Sequence, residues 1–146
     1  MENITIQSER LTPEGYIEFL RHTDLGSQYP KERFESRIAT LVEKTAISLT
    51  ARTDEGLLVG VLFAITDFSY WMFLTDLGIR REYVKQGIGK AMVERAIKDA
   101  GGLENIIVYT CANDKATQFY KKLGMEQGPE DVFVLNQIDW TDFVVE

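Results

Sequence analysis

The stretch "LGIRREYVKQGIGKAM" (77–92) joins an apolar run to an amphipathic one through two glycines, Gly87 and Gly89. Upstream, "WMFLTDLGI" (71–79) reads as a buried strand. Downstream, Ile88, Met92, Ala96 and Ala100 fall on one helical stripe while Glu94, Arg95, Lys98 and Asp99 fall on the wet side. Gly101-Gly102 ends that helix, and "NIIVYTCA" (105–112) reads as a second buried strand. Strand, helix and strand in this order make a crossover, and a crossover implies a parallel pair. The junction therefore decides the fold class.

The flanks add antiparallel structure. "NITIQ" (3–7) alternates as a short strand. Thr12-Pro13 opens a helix with a hydroxyl cap, a proline in its first turn, and Ile17 and Leu20 on one face. "DLGSQYP" (24–30) reads as a loop, and Phe34, Ile38, Leu41 and Val42 mark a second helix over 31–43. Strands follow over 45–52 and over 57–66, "LLVGVLFAIT", joined by an Asp54-Glu55-Gly56 hairpin. Asn113 caps a last helix, 114–123, which stops at Gly124; "MEQ" (125–127) and "VFVLNQIDW" (132–140) read as two final strands. The expectation is an α/β fold in one domain, 1–146: a mixed, mostly antiparallel twisted sheet flanked by about four helices.

Composition narrows the function. The chain has 146 residues, 45% hydrophobic and 27% charged, as in ordinary globular proteins. Its net charge of -7 argues against a nucleic-acid scaffold, which needs clustered Lys and Arg. No apolar run reaches the roughly 18 residues of a spanning helix, and "MENITIQSER" lacks the basic-then-apolar pattern of a secretory signal. Cys111 is the single cysteine, which suits a reducing cytoplasm. No Cys, His and carboxylate cluster has metal spacing, so no metal is expected.

Glycines between cationic residues at the start of a helix suggest a phosphate site, because free amides and the helix dipole favour an anion there. Gly87 and Gly89 would permit close approach and unusual dihedrals. A Walker loop needs a glycine where Val84 stands and Ser or Thr where Ala91 stands. A dinucleotide fingerprint needs a small residue where Met92 stands. What remains is a loop that grips a pyrophosphate from a strand end without metal, or a plain turn capping a helix.

"LGIRREYVKQGIGKAM" followed by "NDKATQFYKKLGM" (113–125) resembles the Gcn5-related N-acetyltransferase family, most clearly over 45–127. The resemblance implies acetyl transfer from acetyl-CoA to an amine acceptor, small molecule or peptide. It implies splayed central strands, with strand 72–79 leaving its neighbour so that Leu77, Gly78 and Ile79 present backbone to the pantetheine arm. It implies that the amides of Val84, Lys85, Gln86, Gly87, Ile88, Gly89 and Lys90 hold the pyrophosphate. By the same resemblance Asn113 contacts the cofactor, Tyr120 protonates the leaving thiolate, and 21–34 rims the acceptor side. Val84 departs from the Gln or Arg usual in the family, which removes a side-chain contact that Lys85 and Lys90 are placed to offset.

Other residues leave two readings each. A phenol with a pKa near 10 is protonated at neutral pH and can donate to a thiolate, yet Tyr120 could equally be packing. Phe119 and Tyr120 are not expected both to face inward. Asp76 interrupts an apolar strand: it either orients or deprotonates the amine, or serves as a structural hydrogen-bond acceptor. Cys111 lacks a histidine partner and reads as a small core residue, and His22 as a surface or loop residue. Two rivals to the enzyme remain: a non-catalytic acyl-CoA-binding module, and an interaction domain in which "DWTDFVVE" (139–146) pairs with another chain, as in a homodimer.

Overall fold

A computed structural model describes residues 3–25, 29–112, 114–128, 131–138 and 145. Strand β1 (Ile4–Ser8) leads to helix α1 (Pro13–Leu20) and helix α2 (Phe34–Lys44). Strands β2 (Ile47–Thr53), β3 (Leu58–Thr66) and β4 (Trp71–Ile79) follow, then a 3-10 turn (Arg81–Tyr83) and helix α3 (Ile88–Ala100). Strand β5 (Ile107–Thr110) and helix α4 (Asp114–Lys122) complete the order.

Local chemistry sets these boundaries. Thr12 caps α1, its Oγ1 accepting from the Gly15 N–H at 3.0 Å, with Pro13 in the first turn. The β3–β4 turn is organised by Asp67, whose Oδ1 accepts from the N–H groups of Ser69, Tyr70 and Trp71 at 2.8–3.0 Å. Gly101, at φ 134°, stops α3. Helix α2 starts at Phe34, later than the expected 31, because Arg33 takes φ 53° and interrupts the helical path.

The sheet order is β1-β2-β3-β4-β5, antiparallel through β4, with β5 added parallel by the α3 crossover. On one face α3 supplies Ile88, Met92, Val93, Ala96 and Ala100, packed on Leu49, Ala51, Val59, Leu62, Met72 and Leu74. Phe119, Tyr120 and Leu123 of α4 join that cluster. On the other face α1 and α2 bury Tyr16, Phe19, Leu20, Ile38 and Val42 with Val61 and Phe63 of β3. The mixed, mostly antiparallel sheet with four helices matches the reading of the sequence.

Two elements differ from it. Strand β5 is shorter than 105–112 and not fully buried: Ile107 is exposed and the other three residues half-buried. Neither final strand forms in the described residues; 125–128 and 131–138 are unpaired, and Phe133 and Leu135 are more than 90% exposed. An apolar pattern alone does not make a strand where the ladder partner is missing. The segment 139–146 lies outside the described residues except for Val145, which is buried among the α1 and α2 side chains.

The β1 edge is tied to β2 by a bidentate ion pair. Arg52 Nε and Nη2 each donate to the Glu9 carboxylate at 2.9 Å, and the Thr50 hydroxyl donates to it at 2.6 Å. The Arg52 hydrogen bond above all holds the Glu9 pKa at about 2, below its ordinary 4.5. A depressed folded pKa means that the stabilisation is complete above the unfolded value and disappears as pH falls towards the folded one. Glu9→Gln should therefore cost on the order of 1 kcal/mol at pH 7, allowing for solvent screening at this part-exposed pair. Urea titrations from pH 7 down to pH 2.5 should show the difference between variant and parent shrinking; a constant difference would mean that packing, not the ion pair, is at stake.

Candidate active site

The parallel pairing of β4 and β5 is brief. It runs from Trp71 opposite Ile107 to Leu74 opposite Thr110, while β4 continues to Ile79 bonded only to β3. Beyond Leu74 the two strands part, as expected for splayed central strands. Residues 77–79 keep one edge on β3 and turn the other to the cleft: Leu77 pairs with Leu62, Gly78 with Val61 and Ile79 with Gly60.

A bulge controls what faces that cleft. Phe63 pairs with Asp76 but Ala64 pairs with Leu74, so Thr75 is the extra residue. A bulge of one residue inverts the alternation beyond it. Met72 and Leu74 lie on the α3 face, and after the bulge so do Leu77 and Ile79. Asp76 and Gly78 are thereby turned to the α1 side, where the space at Gly78 is closed by Leu25 and Phe19.

There Asp76 meets two tyrosines. The Tyr29 hydroxyl donates to Asp76 Oδ1 at 2.5 Å, and the Tyr16 and Tyr29 oxygens are 2.6 Å apart. Burial pushes the Asp76 carboxyl above its ordinary pKa, and hydrogen bonds from Tyr29 and Thr75 offset that in part. Both phenols are pushed well above 10 by burial. The structure thus gives Asp76 the hydrogen-bond partner that its structural reading required.

At the helix end, the first intrahelical bond of α3 is from Ala91 N–H to the Gly87 carbonyl, so the amides of Ile88, Gly89 and Lys90 precede the ladder. Lys85 (φ 63°) and Gly87 (φ 84°) both take the left-handed conformation. A Cβ on Gly87 would meet nothing within 4 Å, so its glycine answers to φ and to open space before the amides. Val84, Lys85, Gln86, Gly87 and Lys90 are exposed, and Gln86 turns its amide back to the Glu82 carbonyl at 3.5 Å. Gly89 corrects the sequence reading. It is buried inside α3, and a Cβ there would lie 3.2 Å from Phe119 Cζ, so it serves the packing of α4 on α3 and not an open approach.

Tyr120 sits at the apex of the split. Its hydroxyl lies beside Thr110, whose Oγ1 donates to the Leu74 carbonyl at 2.9 Å. Leu74 and Thr110 are the last parallel pair. Burial raises the Tyr120 pKa, and the Asp76 charge adds to the rise. Phe119 also faces inward, contrary to expectation: both rings are half-buried against the α3 cluster, edge to face at 5.0 Å. Consecutive helical residues project about 100° apart, and two packed surfaces, α3 and β5, meet α4.

Sequence reasoning missed Tyr29, Thr110 and Arg81. Arg81 donates to Asp24 Oδ1 and to the carbonyls of Arg21 and Thr23 at 2.9–3.0 Å, stitching the segment after α1 to the end of β4. Cys111 is exposed, not a core residue, because β5 ends before it. His22 is a half-exposed partner of Glu18 at 3.2 Å. Asn113 lies outside the described residues. A cavity of about 580 Å³ lies on the far flank of the loop, lined by Ile4, Ile6, Tyr83, Gln86, Gly87 and Ile88. Its lining includes neither Asp76 nor Tyr120.

A family profile described as "Acetyltransferase (GNAT) family" matches residues 14–125. The chain is 31% identical over 86 residues to GCN5-related N-acetyltransferase 2, chloroplastic, of Arabidopsis thaliana, covering 56% of this chain and 31% of the relative. The chain thus spans about a third of the length of the curated relatives it matches. Among solved structures, aminoglycoside 6'-N-acetyltransferase AAC(6')-Ih of Acinetobacter baumannii superposes with TM-score 0.69 at 17% identity, covering 94% of this chain and 100% of that one. Aminoglycoside N-acetyltransferase AAC(6')-Iy, determined in complex with CoA, gives 0.64 at 15% identity, covering 94% and 97%.

The contact between Gly89 and Phe119 gives a test of the helix packing that shapes the cleft. Gly89→Ala should destabilise the parent, since the ring must yield a few tenths of an ångström, but should stabilise a Phe119→Leu background through better helix propensity. Urea denaturation of the four proteins should give a coupling of about 1 kcal/mol. Additive effects would mean that α4 does not rest on Gly89.

Proposed function

The chain belongs to the GNAT acetyltransferase family, and on that premise we propose that it transfers an acetyl group from acetyl-CoA to a primary amine by direct attack in a ternary complex. The observation that carries this reading is the end of the β4–β5 pairing at Leu74 and Thr110, which leaves residues 77–79 paired on the β3 side alone, with the half-buried Tyr120 of α4 beside Thr110. A thioester entering the cleft along the open edge of residues 77–79 would bring its sulfur to that apex.

The roles follow from charge. The amides at the start of α3, with exposed Lys85 and Lys90 alongside, suit a pyrophosphate, and the open space at Gly87 leaves room for it. A lysine-like amine is mostly charged at pH 7 and must lose a proton before it attacks. Asp76, with its pKa lifted by burial, is a stronger base than an ordinary carboxylate and takes that proton directly or through water. Tyr120, held protonated by its raised pKa, gives a proton to the departing sulfur.

Two measurements test this. Tyr120→Phe keeps the ring against Phe119 and should bind acetyl-CoA normally while kcat falls about 10²–10⁴-fold. A kcat within threefold of the parent across pH would remove Tyr120 from the reaction. For the loop, Gly87→Asp and Gly87→Asn are close in shape and both tolerate a left-handed φ, so they differ chiefly in charge. CoA calorimetry should show the aspartate variant binding roughly tenfold more weakly than the asparagine variant, a repulsion of about 1.4 kcal/mol. Equal affinities would place the pyrophosphate elsewhere.

A further inference from the structure

The hydroxyls of Tyr16 and Tyr29 and the carboxylate of Asp76 form a continuous chain that joins three elements far apart in sequence: α1, the loop before α2, and β4. A phenol has one proton. Since Tyr29 donates to Asp76, the contact between the phenols is Tyr16 donating to Tyr29, and the chain has one polarity. Each bond strengthens the next, and both favour the carboxylate form of Asp76.

The chain is not a proton exit. Tyr16 is fully buried against Phe19 and Phe63 and forms its inner end, so a proton passed from Asp76 to Tyr29 and on to Tyr16 would reach the core and not water. What the chain can do is hold. Tyr29 stands before α2, and Arg81, just past β4, binds the carbonyls of Arg21 and Thr23 that follow α1. The Tyr29 hydroxyl reaches the Asp76 carboxylate, and its ring is fixed by Tyr16 and Phe34 at centroid separations of 6.3 and 6.0 Å.

We propose that Tyr29, backed by Tyr16, is a positioning residue for acetyl transfer, fixing the Asp76 carboxylate towards the acceptor amine and locking the loop before α2 over it. This rests on the reaction proposed above, with Asp76 as the base. The titratable groups facing Asp76 are Tyr29 from the loop, Tyr16 from α1 and Tyr120 from α4.

The test compares parent, Tyr29→Phe and Tyr16→Phe for acetyl transfer to an amine substrate from pH 5 to 9, beside CoA calorimetry and carbon-detected NMR titration of the Asp76 carboxyl. Tyr29→Phe keeps its ring packing and should bind CoA as the parent does. Its kcat/KM for the amine should fall roughly 10–100-fold, as expected for losing a hydrogen bond to a charged group. Loss of the donor should move the acid limb of the pH profile and the Asp76 titration together to higher pH, by about one unit. Tyr16→Phe, which leaves the bond to Asp76 in place, should move both in the same direction and by less. A fall in kcat/KM with neither pH feature moved would make Tyr29 a packing residue and overturn the proposal. So would an Asp76 titration that moves while the rate profile stays, since Asp76 would then be held but not used. A parent that acetylates no amine across a broad panel would overturn the reaction itself, an outcome distinct from an active parent whose Tyr29→Phe variant is unaltered.

Discussion

The extra residue at Thr75 is the constraint on which the cleft depends. Without it, strict alternation would carry Asp76 to the face of Met72 and Leu74, into the apolar layer under α3. A carboxylate there would have neither partner nor water, a cost of several kcal/mol. With it, Asp76 reaches Tyr29, and Leu77 and Ile79 take the places under α3 that an uninterrupted strand would have given to Asp76 and Gly78. The bulge also falls beside the last parallel pair, where the strand loses its β5 neighbour. One backbone irregularity thereby sets the face to which the carboxylate turns.

The two helix layers hold that irregularity in place from opposite sides. Under α3, Met92, Ala96 and Ala100 are fully buried, and each large apolar side chain in the cluster contributes roughly 1.5–3 kcal/mol. On the other face, Tyr16 is fully buried yet carries a hydroxyl, which needs a partner in so dry a place. Its partner is Tyr29, and the partner of Tyr29 is Asp76. The polar chain is therefore the means by which the α1 layer satisfies its own buried oxygen, and the same bonds tie the loop to the bulged strand. Packing and chemistry are not separable at this point of the fold.

What the sequence shows follows from how local each signal is. The Thr12-Pro13 cap, the glycine stops after α3 and α4, and the crossover from β4 to β5 are each written in a few neighbouring residues. The bulge is not, since Thr75 carries no glycine or proline to mark it. Tyr29 and Asp76 are 47 positions apart, and no periodicity links a loop tyrosine to a strand carboxylate. Gly89 misled for a related reason: beside Gly87 it looks like part of one loop, yet only packing against Phe119 from another helix reveals its separate role. The residues 132–138 misled through apolar pattern, which reports a preference for burial and not the presence of a strand to pair with.

The position of Asp76 also orders the two proton transfers of the proposed reaction. Burial does most to raise the Tyr120 pKa, and the negative charge of Asp76 raises it further. Before the amine is deprotonated, that charge would help to make Tyr120 a reluctant donor. Once Asp76 takes the amine proton, its charge is gone, the added rise disappears, and Tyr120 becomes the stronger acid it must be when the thiolate departs. In the proposed reaction, a charged base felt by the acid would make proton delivery follow proton removal.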